Sequence, residues 1–118
     1  MRTFGPYPAR ILDWHDGDTC HLDIDVGFAH RVVGYNLDGS AGLSCRIYGI
    51  NAPELGTDAG NAALAHAKLI APAGSMVQVT SHSWDKYGGR FDGSITLPDG
   101  SDFAAHMLAD GFAVVMGG

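Results

Sequence analysis

Positive charge, cysteine and long apolar runs are what this chain has little of, and each shortage closes off a class of function. Lys and Arg number 7 against 13 Asp and Glu, a formal net charge of −6. Proteins that hold nucleic acid by unspecific attraction to its backbone present a basic surface, so a phosphate ligand here must rely on a few placed arginines or on a bound cation. The two cysteines, Cys20 and Cys45, are too few and too far apart for a zinc cluster. Nothing implies an oxidising compartment, so buried, reduced thiols are expected. No stretch approaches the ~18 consecutive apolar residues of a membrane-spanning helix. The first residues, Met1 to Pro6, lack the apolar centre of a secretory signal, and the expectation is a chain that stays where it is made, cytoplasmic by default. The histidines at 15, 21, 30, 66, 82 and 106 show no metal-ligand spacing, and no Ser or Cys sits in a nucleophile elbow.

What is present suits one compact domain over residues 1–118. Hydrophobic residues make up 46% and glycine occurs 17 times, enough for a single core with many tight turns. Residues 9–12 and 19–26 read as strands. In the second, Cys20, Leu22, Ile24 and Val26 alternate with His21, Asp23 and Asp25, the period of two that marks one buried and one wet face. Asp16 and Gly17 form the turn between them, with Gly17 free to adopt positive φ. Residues 27–33 continue this sheet, 35–42 are a loop, and 43–50 are the next strand, stopped by Pro53. Thr57 or Asp58 caps a helix to about Ile70 whose inward stripe is Leu64, Ala67 and Ile70. Strands over 76–81 and 90–97, a helix capped by Ser101 or Asp102 and ended by Gly111, and a closing strand over 112–116 complete the chain. This order predicts an α+β, mainly β fold: a five-stranded barrel of the OB type with two packed helices.

Three stretches carry the chemistry: Asp16-Gly17-Asp18-Thr19, then Arg46-Ile47-Tyr48-Gly49-Ile50-Asn51-Ala52-Pro53-Glu54, then Asp85-Lys86-Tyr87-Gly88-Gly89-Arg90. They supply carboxylates, an amide oxygen and guanidinium groups, a set able to hold a hard cation beside a phosphodiester. Asp18 and Asn51 offer oxygen ligands of the kind Ca²⁺ accepts. Asp13, Asp16, Asp18, Asp23 and Asp25 crowd one early segment, which fits a cation site, although Asp13, Asp23 and Asp25 read more simply as a solvated face. Asp16-Gly17-Asp18 fails the EF-hand template, because no glutamate follows at the required place. Arg46 lies in an otherwise apolar strand, where an unpaired charge is costly to bury. A guanidinium aimed at an anionic ligand resolves that cost, and so does an ion pair with Asp18 or Glu54. Asn51 alone reads more simply as a turn-former before proline.

In order, spacing and flanks these motifs resemble the staphylococcal-nuclease (thermonuclease-like) family, from about Ala9 to about Val115. The resemblance implies the OB-type barrel and a calcium-dependent hydrolysis of phosphodiester bonds in DNA, with RNA as a second substrate, by a protein acting as a monomer. It implies Asp18, Asn51 and the Ala52 carbonyl as metal ligands. Glu54 is then the group that deprotonates or orients the attacking water, Arg46 and Arg90 stabilise charge on the phosphoryl oxygens, and Lys86 and Tyr87 line the approach of the nucleotide. It also implies a hairpin register in which Cys20 and Cys45 face each other, close enough for a disulfide to be conceivable. The chain departs from the best-known pattern at Asn51, where that pattern has Asp, at Ala52, where it has Thr, and at Gly89, an extra residue before Arg90. A carboxylate replaced by an amide weakens calcium binding, and a one-residue shift within a strand turns a side chain to the other face. These departures and the acidic charge favour the rival reading, an inactive nuclease-like module that binds nucleic acid or protein.

Overall fold

The computed structural model describes residues 2–35, 39–84 and 89–116. Eight strands and two helices follow in the order β1 (Phe4–Asp16), β2 (Thr19–Gly27), β3 (His30–Val32), β4 (Leu43–Ile47), β5 (Ile50–Asn51), α1 (Asp58–Ile70), β6 (Met76–Trp84), β7 (Arg90–Thr96), α2 (Phe103–Ala109) and β8 (Val114–Val115). β1, β2, β4, β7 and β6 pair in that sequence and β6 returns to β1, which closes a five-stranded barrel. Among the described residues only the β4–β7 pair is parallel. Closure depends on the length of β1, whose Ala9 and Arg10 pair with β2 on one edge and with β6 on the other. Register shifts between Ile11 and Asp13 and between Trp14 and Asp16 bend the strand around the barrel, as bulges do.

The alternation seen in the sequence becomes the inside and outside of this barrel. Ala9, Ile11, Cys20, Leu22, Cys45, Ile47, Val79 and Ile95 are almost wholly buried. Cys20 and Cys45 are direct partners across β2 and β4, both free thiols. Burial and the neighbouring Cys45 thiol push the Cys20 thiol well up, so it stays protonated.

The strand expected over 43–50 is two pieces, because the chain turns at Tyr48 and Gly49. Its second piece leaves the barrel and pairs with β8. That turn carries Asn51 to Glu54 past the barrel end. β1 is longer than expected at both ends, since its first residues find a partner in β6 that local pattern does not reveal. The inward stripe of α1 also differs: Gly60, Ala63 and Ala67 are its buried residues, while Leu64 and Ile70 are only partly covered. Small residues face inward because the helix lies close to the chain beneath it. Thr57 caps α1, accepting from the Gly60 N–H at 2.9 Å and donating its hydroxyl to the Glu54 carbonyl at 2.7 Å. Asp102 caps α2. Trp14 links barrel and helices, stacking on Phe103 with ring centroids 4.6 Å apart and donating its indole N–H to the Ala71 carbonyl at 2.8 Å.

The β2–β3 turn places Phe28 and Ala29 at φ 57°, in the left-handed region. An L-residue there costs about 1–2 kcal/mol. Ala29→Gly is expected to stabilise the fold by roughly 0.5–1 kcal/mol after the added freedom of the unfolded chain is subtracted, read as a higher urea midpoint.

Candidate active site

β2 and β4 set the site because their register places Thr19 opposite Arg46. Beyond that pair the Ile47 N–H donates to the Asp18 carbonyl at 2.8 Å, which brings the Asp16–Thr19 turn to the end of β4. Arg46 alternates with buried Cys45 and Ile47, so its side chain lies on the outer face of the barrel. There it donates through Nη2 to the Asn51 amide oxygen, and the same nitrogen stands 3.7 Å from Asp18 Oδ2. The ion-pair alternative for Arg46 is therefore realised with Asp18.

Asp18 is only 8% exposed. Its Oδ2 accepts the Ala52 N–H at 2.9 Å and its Oδ1 accepts the Thr19 hydroxyl at 3.3 Å. Burial pushes the Asp18 carboxyl above its usual range, and a hydrogen bond with the Asp16 side chain adds to the rise. The Ala52 amide and the Arg46 charge pull the other way without cancelling it. Asp16 in turn accepts the Asp18 N–H at 3.0 Å. Asp16 is thus a site residue that the acidic crowding in the sequence signalled without assigning it a role. The other three acids of that crowd are satisfied locally: Asp13 pairs with His21, Asp23 with Arg31 at 2.7 Å, and Asp25 accepts the Gly27 N–H at 2.9 Å.

The turn is held against the helix by the absence of side chains. Gly17 is not among the glycines at positive φ, so that freedom is not used. A Cβ on it would lie 2.9 Å from the Ala52 Cβ and 2.9 Å from the Ala63 Cβ, so close approach, not turn geometry, requires glycine there. One packed junction thereby fixes the Asp16–Asp18 turn, the Asn51–Glu54 segment and α1 together.

Glu54 is brought to the same end, but its side chain is exposed. Among the described residues no hydrogen bond or ion pair to its carboxylate is found, while its backbone carbonyl is anchored by Thr57. Arg90 opens β7 opposite Ser44, two residues before Asp92, the partner of Arg46. Buried Phe91 and Gly93 alternate with half-covered Arg90 and Asp92, so Arg90 shares the outer face with Arg46, about 7 Å along the strand. Gly89, at φ 76°, lies just before the strand. Lys86 and Tyr87 lie outside the described residues. A cleft of about 200 Å³ opens beside the site between Asn51, Ala52 and Pro53 on one wall and Gly111 to Val114 on the other.

Asp16, Asp18 and Asn51 present only oxygen donors, the chemistry of a hard cation, and the Arg46 guanidinium stands in for a cation between two of them. Among the described residues no group of three or more His, Cys, Asp or Glu gathers to hold a metal. The set here is two carboxylates and an amide, a weaker donor charge than three carboxylates.

A raised carboxyl carries a stability consequence. The fold binds the Asp18 proton more tightly than the unfolded chain does, so this group's contribution is fully present below the unfolded value of 3.8 and is lost as pH rises through the higher folded value. Asp18→Asn removes that loss. In chelator, the Tm of the wild type relative to this variant is expected to fall between pH 3 and pH 7; a constant difference would show an unperturbed carboxyl.

No family model and no curated protein matches this chain, so the functional reading rests on its own residues.

Proposed function

We propose that this chain is a calcium-dependent nuclease of the staphylococcal-nuclease (thermonuclease-like) type, hydrolysing phosphodiester bonds of DNA and also RNA. The observation that carries this reading is the convergence, from two stretches far apart in the sequence, of buried Asp18 with Arg46 and Asn51. Burial pushes the Asp18 carboxyl up beside Asp16, Arg46 and Asn51, and perturbed groups of this kind cluster at functional sites.

Asp18, Asn51 and the Ala52 carbonyl would hold the ion, with Asp16 behind them. A bound Ca²⁺ supplies positive charge to the phosphoryl oxygens and polarises water. Arg46, on the outer face beside these ligands, offers its planar fork to the same phosphate and strengthens its hold as charge builds on the oxygens. Arg90, farther along the same face, extends the cationic track and takes the neighbouring charge of the strand. Glu54, exposed and without a competing partner among the described residues, is free to accept a proton from the attacking water. With a net charge of −6 the protein cannot hold substrate by diffuse attraction, so binding depends on these arginines and the ion.

The test is incubation with single-stranded and duplex DNA, and with RNA, in millimolar Ca²⁺ or in chelator. Cleavage that appears only with calcium is expected. Tight binding without cleavage would assign the chain instead to the inactive module, and neither binding nor cleavage would end the reading.

A further inference from the structure

Asp92 holds a polar atom that the rest of the fold does not use. Its Oδ2 accepts the Ser83 hydroxyl at 3.2 Å, while its Oδ1 is buried without a hydrogen-bond partner among the described residues. A buried carboxylate oxygen left unpaired costs the loss of its hydration, so its retention calls for an explanation. The neighbouring polar side chains are already engaged: His82 with the Ser94 hydroxyl at 2.7 Å, and Ser83 with Asp92 itself. On the other side of β7, the residue paired with Asp92 is Arg46. Both point to the outer face of adjacent strands about 4.8 Å apart, well within the reach of an arginine side chain.

Arg46 has a conflict of its own. Its guanidinium lies on the Asn51 oxygen and beside Asp18 Oδ2, two of the oxygens that the proposed function gives to a cation. Two positive charges cannot share those oxygens at contact distance, so Arg46 must leave them when a cation binds. A displaced guanidinium that went unpaired would raise the cost of cation binding by the interactions it gave up.

We propose that Asp92 is the positioning residue that receives Arg46 once Asp18 and Asn51 are committed to a cation. The arginine then alternates between two seats: Asn51 and Asp18 without the ion, Asp92 with it. In the second seat one edge of the guanidinium is fixed by Asp92 and the opposite edge is left for phosphate. This inference rests on the proposed cation site and adds a residue to which the motifs assign no part.

The test is a double-mutant cycle on Ca²⁺ affinity, measured by calorimetry without nucleic acid. Asp92→Asn is expected to weaken Ca²⁺ binding about tenfold in the wild-type background, because Arg46 loses its second seat. In the Arg46→Gln background the same change is expected to alter affinity by less than about twofold. An equal loss in both backgrounds would mean that Asp92 acts only as a distant negative charge, and would overturn the proposal, as would no loss in either. Should Asp92→Asn unfold, Asp92→Ser carries the same cycle. The Arg46 Nε–H resonance supplies an independent readout: it is expected to shift on Ca²⁺ addition in the wild type and to move differently in the Asp92 variant. Absence of any Ca²⁺ binding by the wild type would sink the cation site together with this inference; Ca²⁺ binding without coupling between positions 46 and 92 would sink this inference alone.

Discussion

Glu54→Gln is expected to slow calcium-dependent cleavage by about 10²–10⁴-fold, the range that a positioned acid–base group contributes. Thermal unfolding should not change, and neither should the affinity for Ca²⁺. The contrast follows from where the side chain stands. Glu54 is exposed, and among the described residues nothing bonds to its carboxylate, so the fold loses no contact when the charge is removed. Its backbone, by contrast, is tied to the cap of α1 through the Thr57 hydroxyl, so the replacement amide occupies the same place. Rates at saturating substrate and calcium decide the matter. A variant that retains the wild-type rate would remove Glu54 from the chemistry and leave the proton of the attacking water without an acceptor among the assigned residues.

The second large effect belongs to a residue that touches no substrate. Gly60→Ala is expected to destabilise the protein by about 3 kcal/mol or more, the upper end for forcing atoms into a packed interior. For a chain of this length that corresponds to a fall in Tm on the order of 10 °C. A Cβ at this position would lie 1.8 Å from the Glu54 carbonyl oxygen, 2.5 Å from its carbon and 3.0 Å from the Leu55 nitrogen, all backbone atoms that cannot rotate aside. The opposite sign is expected of an ordinary helix, where replacing glycine by alanine gains about 1 kcal/mol. Thermal melts therefore separate the two accounts by direction alone. The variant should also lose cleavage beyond what its stability predicts, since relief of the clash must move the Pro53–Leu55 backbone and carry Glu54 with it. A rise in Tm would show that α1 does not rest on that segment.

Much of the barrel was legible before the coordinates. The alternation of Cys20, Leu22 and Ile24 with His21, Asp23 and Asp25 is a local pattern set by the two-residue repeat of a strand, and it became the two faces of β2. Thr57 and Asp102, each three residues before the amide that it receives, marked both helix starts. Departures came where a partner distant in sequence decided the outcome. β1 extends beyond its apolar stretch because β6 pairs with it, and α1 turns Gly60 and Ala63 inward because the site segment lies too close for Leu64 to be central.

By itself the sequence determined which groups the protein could bring to a site: the acids around Gly17, the arginine in an apolar strand, the amide and carboxylate on either side of Pro53. It also determined the elements that carry them, since caps, turns and alternation act over a few residues. Only the tertiary structure decided that Arg46 rests on Asn51 and Asp18, that burial and then Asp16 lift the Asp18 carboxyl, that Gly17 and Gly60 are small for contact and not for turning, and that Asp92 stands beside Arg46 with an oxygen unpaired among the described residues. Those relations depend on strand register and on the closure of the barrel. Register is fixed by the packing of the whole interior, and a shift of one residue would have turned the Arg46 and Asp92 side chains to the other face.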